Sequence, residues 1–237
     1  TGPFAHTAVY SYCFEQYVDT LCTLLKLLNP YGGGSNLYVA LGASVLENAC
    51  LVGVDYKIQM GEMGVIQRLL EYASNVTDFL YMKLEEPILR IPCHFVSYMS
   101  FLWWILFHLT DGLPENSTRF CSNDGVTLFI RNVLIYDYVH FNPRSKEIVY
   151  KLSNATAGMI ATLSNVSEVQ SLRTQLMNKD FIKAVRSVWV ALSSRDLLEG
   201  TQISLILLRA WQWNSNVAFF LIPTFSEMDF YKSIHQH

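Results

Sequence analysis

Charge is scarce in this sequence, and basic charge especially so. Only 16% of its 237 residues are Asp, Glu, Lys or Arg, and 17 Lys and Arg stand against 20 Asp and Glu, for a net charge of −3 and a pI near 6.0. The basic residues are scattered, so no stripe of them can neutralise phosphates and nucleic acid is not an expected partner. Paired cysteines are lacking too. Cys13, Cys22, Cys50, Cys93 and Cys121 form no C-x-x-C and have no histidines at zinc-finger spacing, so they read as mostly buried thiols in a reducing, intracellular compartment, cytoplasmic or nuclear. His6, His94, His108, His140, His235 and His237 include no H-E-x-x-H and no helical pair with an acidic third ligand, and neither a metal nor another cofactor is expected. The G-x-S-x-G elbow, the Walker loop and G-x-G-x-x-G are absent. Gly32-Gly33-Gly34 lacks the Lys-Ser/Thr that a phosphate loop requires and reads as a flexible connection. No charged segment followed by an apolar run and a cleavage site opens the chain, so no signal peptide is visible. These absences point away from an enzyme.

Apolar residues are plentiful, at 51%, which is enough for a substantial core. The run from Cys93 to Thr110, CHFVSYMSFLWWILFHLT, has no Asp, Glu, Lys or Arg. A bilayer-crossing helix needs about 20 apolar residues, and this run includes His94, Ser97, Ser100, His108 and Thr110, so a helix buried on all sides is the expectation and a membrane partner is not. Four sequons, at Asn75, Asn116, Asn154 and Asn165, would be glycosylation candidates in a secreted protein. Together with the apolar run they motivate a competing reading, part of a membrane protein.

Apolar residues recur three and four apart almost throughout, and sustained alternation is scarce, which predicts an all-α chain. Breaks are expected at Asn29 to Gly34, near Pro87 and Pro92, at Asp111-Gly112-Leu113-Pro114, at Asn142-Pro143, near Gly200 and at Pro223. An apolar helix ending in a polar residue recurs as Val45-Leu46-Glu47-Asn48-Ala49, Leu106-Phe107-His108-Leu109 and Leu163-Ser164-Asn165-Val166, with Asn48, His108 and Asn165 separated by 60 and 57 residues. Further helical patterns follow, from Gly125 to Tyr136 and from Asp180 to Ser194. The expected architecture is one armadillo-like helical-repeat solenoid over residues 1–237, a piece of a longer protein. Armadillo units run about 40–47 residues, so the wider spacing calls for longer loops or an irregular insertion. An irregular helical bundle is the alternative. Stacked units leave an extended surface suited to peptides, and the polar residues interrupting the final helix of each unit would hold the ligand: Asn48, His108, Asp111, Asn165 and Glu168.

Phe107, His108 and Asp111 share one helical face if the helix reaches Asp111, and Glu168 stands three after Asn165. Two carboxylates, an amide and an aromatic ring suit a protonated amine. Alternatively, Asp111 opens a turn before Gly112, and Glu168 starts the next helix. Paired acids also serve glycosidases, but nothing else supports hydrolysis. Trp103, Trp104, Trp189, Trp211 and Trp213 read as core, with room for one to line a groove.

At these residues the sequence resembles the zyg-eleven and zer-one substrate receptors of cullin-RING ubiquitin ligases. Their C-terminal domain carries a segment close to L-W-N-L-T-D-E-S-P and then D-G-x-x-L-F, where this chain has Leu106-Phe107-His108-Leu109-Thr110-Asp111-Gly112-Leu113-Pro114 and Asp124-Gly125-Val126-Thr127-Leu128-Phe129. A second segment resembles G-L-L-G-N-V-A-E-V-x-x-L-R-x-x-L-M and stands here from Ala161 to Met177, including Asn165-Val166-Ser167-Glu168. The likeness is strong over residues 97–182. It implies a non-catalytic recognition domain of a cullin-2 ligase receptor that captures the free N-terminus of a substrate, beginning with Gly or another small residue, in a concave groove. By position, the implied pocket comprises Phe107, His108, Asp111, Asn165 and Glu168. Phe107 replaces Trp and presents a weaker cation–π face, and His108 replaces Asn and repels an ammonium when protonated. Cullin-2 and elongin adaptors would engage regions outside this chain. A divergent scaffold that uses the same groove without selectivity for a chain end is the alternative.

Overall fold

The computed structural model describes residues 13–20, 36–84, 93–141 and 146–192, and among them every long segment is helical. Residues 13–20 form α1. There follow α2 (Asn36–Val52), α3 (Val54–Glu62), α4 (Val65–Leu84), α5 (Cys93–Thr110), α6 (Pro114–Ser122), α7 (Gly125–Phe141), α8 (Lys146–Glu168), a 3-10 helix (Gln170–Met177) and α9 (Lys179–Leu192).

Local chemistry accounts for the boundaries. Gly112 at φ +70° and Gly64 at φ +75° adopt the left-handed conformation that ends a helix at little cost for a residue without Cβ. Pro114 opens α6, where its missing N–H costs nothing, with Glu115 in the first turn and Arg119 in the last, both matched to the helix dipole. The Asn178 carboxamide accepts a hydrogen bond from the Phe181 N–H at 2.7 Å and caps α9. Of the breaks expected from sequence, the one at Asp111 to Pro114 is present, while those at 29–34, 87, 92, 142–143, 200 and 223 lie outside or at the edge of the described residues.

The helices stack like with like. α2, α5 and α8 pack side by side in that order, as do α4, α7 and α9, and the short α3 lies against α6, which in turn meets the 3-10 helix. Two units of one short and two long helices begin at Val54 and Pro114, and the 3-10 helix from Gln170 with α9 repeats the first two helices of that order among the described residues. This is an all-α helical-repeat fold. α4 has 20 residues and α8 has 23, so the helices themselves contribute to the long unit; the connections from α4 to α5 and from α7 to α8, where longer loops are expected, lie outside the described residues.

α5 sits at the centre, in contact with α2, α3, α4, α6 and α8. Met99, Leu102, Trp103, Ile105, Leu106 and Leu109 are all buried, which accounts for its lack of charge without a bilayer. No helix among the described residues is long and apolar enough to cross a membrane. α8 passes close to α5 at Gly158, where an added Cβ would stand 3.2 Å from the Trp103 Cβ and the Trp104 backbone nitrogen.

Cys50 and Cys121 are buried and unpaired, as expected, whereas Cys13 is exposed. Burial pushes both buried thiols up to about 12, Lys57 lowering and Glu47 raising the value at Cys50. They remain protonated, hence unreactive, at pH 8. Peptide mapping after native alkylation should find Cys13 modified and Cys50 and Cys121 protected until denaturant is added; rapid modification of either in the folded protein would contradict their placement in the core.

Candidate functional site

The last turns of α5 and α8 carry the five candidate residues. At the end of α5, the Asp111 N–H donates to the Phe107 carbonyl at 2.9 Å, an i to i−4 bond that carries the helical path through Asp111. The chain then turns at Gly112, and the Leu113 N–H donates to the Thr110 carbonyl at 3.1 Å. Both readings of Asp111 hold: it shares a helical turn with Phe107 and His108, and it precedes the turn. Glu168 is the last residue of α8, one turn beyond Asn165, and does not open the next helix.

Asn165 joins the two ends. Its Nδ2 donates to the Phe107 carbonyl and to the Thr110 hydroxyl, both at 3.1 Å, and that hydroxyl donates in turn to the Leu106 and Phe107 carbonyls. One side-chain amide thus gives the Phe107 carbonyl a second donor beside the Asp111 N–H and supplies a donor to the Thr110 hydroxyl oxygen. With both protons used inside the fold, Oδ1 is the atom of Asn165 able to accept from a ligand. Arg173 secures the end of α8, its Nε donating to the Ser167 carbonyl at 2.7 Å.

Three rings run along α5. Trp104 and Phe107 meet edge to face, with centroids 5.5 Å apart at 89°, and the Phe107 and His108 rings lie 4.9 Å apart. All three are half-buried. The Trp104 Nε1 donates to Asn154 Oδ1 on α8 at 3.2 Å, so this indole lines the seam while its neighbour Trp103 is wholly buried. On the other side of α5, His108 Nε2 stands 3.5 Å from the Glu47 carboxylate of α2.

Two charged residues bordering the candidates were not singled out by sequence, and one that was does not join them. Glu47 reaches His108, whereas the carboxamide of Asn48 donates to Ser44 within its own helix at 2.8 Å and is exposed. The recurring segment containing both was legible; a one-residue change in facing, about 100° around a helix, was not. Lys57 of α3 places its Nζ 3.2 Å from Asp111 Oδ2 and 3.3 Å from the Asp111 carbonyl. No pattern in the sequence links residues 57 and 111.

Three of the sequon asparagines serve packing. Asn116 donates to the Lys57 and Leu109 carbonyls, Asn154 to the Ser100 hydroxyl, and Asn165 as described. Thr77, the third residue of the Asn75 sequon, is buried and donates to Ala73 at 2.6 Å. A recess of about 480 Å³ lies elsewhere, between α4 and the α6–α7 turn, lined by Gln67, Glu71, Asp124, Thr127 and Arg131 among others; none of the five candidates borders it.

The family model described as "Protein zer-1 homolog-like, C-terminal domain" matches residues 7–201. The chain belongs to this family. It is 28% identical over 159 residues to "Protein zer-1 homolog" of Homo sapiens, covering 67% of this chain and 17% of that relative. "Zyg eleven-related protein 1" of Caenorhabditis elegans is 27% identical over 169 residues, covering 69% and 15%. "Protein zer-1 homolog" of Drosophila melanogaster is 23% identical over 158 residues, covering 67% and 17%. The chain therefore spans about a sixth of the length of these relatives.

Proposed function

We propose that this chain is the substrate-recognition domain of a cullin-2 RING ubiquitin ligase receptor, non-catalytic and intracellular, which binds the free N-terminus of its targets in a groove between the ends of α5 and α8. The observation that carries the reading is the Asn165 clamp, which brings the helix ends bearing Phe107, His108 and Asp111 on one side and Glu168 on the other to a common seam. In this reading, Asp111 and Glu168 balance the charge of a chain-terminal ammonium, Asn165 Oδ1 accepts one of its protons, and the Trp104–Phe107 wall limits the first side chain to Gly or another small residue. Cullin-2 and the elongin adaptor would bind outside this chain.

Calorimetry with a peptide beginning in Gly tests the reading. Micromolar affinity, about −8 kcal/mol, is expected for the free terminus, and acetylation should weaken it at least tenfold, because the charge and donors that the acids recognise are removed. Asp111→Ala and Glu168→Ala should each cost roughly 1.5–3 kcal/mol, the size of a hydrogen bond to a charged group. Wild-type affinity in both variants would move the site elsewhere. A second reading, a scaffold that binds internal segments without selectivity for a chain end, is favoured by one observation: Asp111 already holds a cation from within the chain, Lys57. Equal affinity for free and acetylated peptides would select it.

A further inference from the structure

The cation that Asp111 holds is chemically what the proposed ligand would bring. A lysine side chain and a chain terminus both end in a primary ammonium with three donors. Lys57 Nζ is 3.2 Å from Asp111 Oδ2 and 3.3 Å from the Asp111 carbonyl, so it bridges the carboxylate and the carbonyl end of α5, where the helix dipole adds negative potential. The lysine side chain is 13% exposed and the aspartate 56%. Lys57 thus approaches from inside the fold, out of α3, and the other side of the carboxylate is left to solvent.

Lys57 is held in place independently of this contact. Its backbone carbonyl accepts a hydrogen bond from the buried Asn116 amide at 3.0 Å, and α3 is packed against α6 at Gly61, where an added Cβ would collide with Asn116. The ammonium is consequently delivered to Asp111 by a fixed helix and not by a wandering surface side chain, so its effect on Asp111 persists in the free protein.

We infer that Lys57 is an internal competitor for Asp111, a specificity-determining residue that sets how strongly this pocket takes an incoming primary ammonium. The inference rests on the proposed binding of a free N-terminus. An arriving ammonium meets a carboxylate whose charge is already neutralised and a like charge behind it, and binding requires Lys57 to share or release Asp111. A pocket so arranged discriminates less between free and blocked chain ends than the carboxylate alone would.

The test uses the whole chain, with free and acetylated Gly-initiated peptides and three proteins: wild type, Lys57→Met, which keeps the apolar stem but removes the ammonium, and Lys57→Arg, which keeps a cation. Thermal melts establish that each is folded. Lys57→Met should bind the free peptide at least fivefold more tightly than wild type, with the acetylated peptide unchanged, and Lys57→Arg should not gain. A folded Lys57→Met whose free-peptide affinity is unchanged or weaker overturns the inference while leaving the proposed function standing if wild type prefers the free end. A wild type without preference and a Lys57→Met that acquires one support the inference and identify a pocket closed by its own lysine. Absence of preference in both defeats the inference and the free-terminus reading together, and leaves the scaffold reading. Should Lys57→Met fail to fold, wild-type protein with ¹³C-dimethylated lysines gives the answer: the Lys57 methyl resonance shifts on binding free peptide and not acetylated peptide, and binding of the free peptide without that shift overturns the inference.

Discussion

Trp103→Ala is expected to lower the unfolding free energy by about 3–5 kcal/mol, the usual cost of deleting a large buried aromatic side chain. Trp103 is 0% exposed, packs edge to face against Phe120 at 6.1 Å and supports the close passage of α8 at Gly158. The cavity would open between α5, α6 and α8, where rigid helices cannot collapse to fill it. For a chain of this length the melting temperature should fall by roughly 10 °C. Trp103→Phe distinguishes packing from polar effects. Among the described residues the Trp103 indole N–H has no hydrogen-bond partner, so replacing it by Phe loses volume but also removes an unsatisfied buried donor, and should cost under about 1.5 kcal/mol. Thermal or urea unfolding reads both. Near-wild-type stability of Trp103→Ala would mean that the centre of the repeat stack is not packed as described.

Asn116→Ala should cost about 2–4 kcal/mol, through polar groups and not through volume. The amide is 1% exposed and fully engaged, donating to the Leu109 carbonyl at 2.8 Å and the Lys57 carbonyl at 3.0 Å while accepting from Arg119 at 2.7 Å. The Leu109 carbonyl belongs to the last turn of α5 and has no intrahelical donor, so truncation leaves it buried and unpaired. Gly61→Ala should be similarly harmful, since its methyl group would come within 2.0 Å of Asn116 Oδ1 and 2.8 Å of an Arg119 guanidinium nitrogen, forcing the amide out of its bonds. The two substitutions should not add. Once Asn116 is truncated, the methyl group meets, of these two neighbours, only the end of the flexible Arg119 side chain, which can shift, and a coupling of roughly 1–3 kcal/mol is expected in a double-mutant cycle. Strict additivity in urea unfolding would show that Gly61 and Asn116 do not meet.

The proposed site depends on the same hub. Asn116 fixes both the backbone of Lys57 and the end of α5, and those elements present the ammonium and the carboxylate whose balance governs the pocket. Damage to Asn116 should therefore change peptide binding as well as stability, whereas Trp103, separated from solvent, should act on stability first.

Much of this molecule was legible in residue order. The helical period, the stop at Gly112 and Pro114, and the charge-free run from Cys93 to Thr110 each report a local cause: side-chain facing, backbone conformation and the cost of burying charge. The recurring segments around Asn48, His108 and Asn165 fall on α2, α5 and α8, the helices that stack side by side, although Asn48 itself is exposed and faces away from His108. The sequons are local triplets, and nothing within three residues tells that the Asn116, Asn154 and Asn165 amides are used to seam helices together. One inference from pattern needed correction. Glu168 could have started a helix by its residue type, and it ends one because α8 continues through it to the 3-10 segment.

The sequence by itself determined that the described segments are helical, where the chain breaks after Asp111 and that the charge-free run of α5 is buried, since these follow from interactions within a few residues of one another. Only the tertiary structure decided that Glu47 and not Asn48 meets His108, that Asn165 closes the end of α5 and that Lys57 neutralises Asp111. Those partners lie more than fifty residues apart and are chosen by the angle and register at which rigid helices stack, and neither quantity is written in any local stretch of chain.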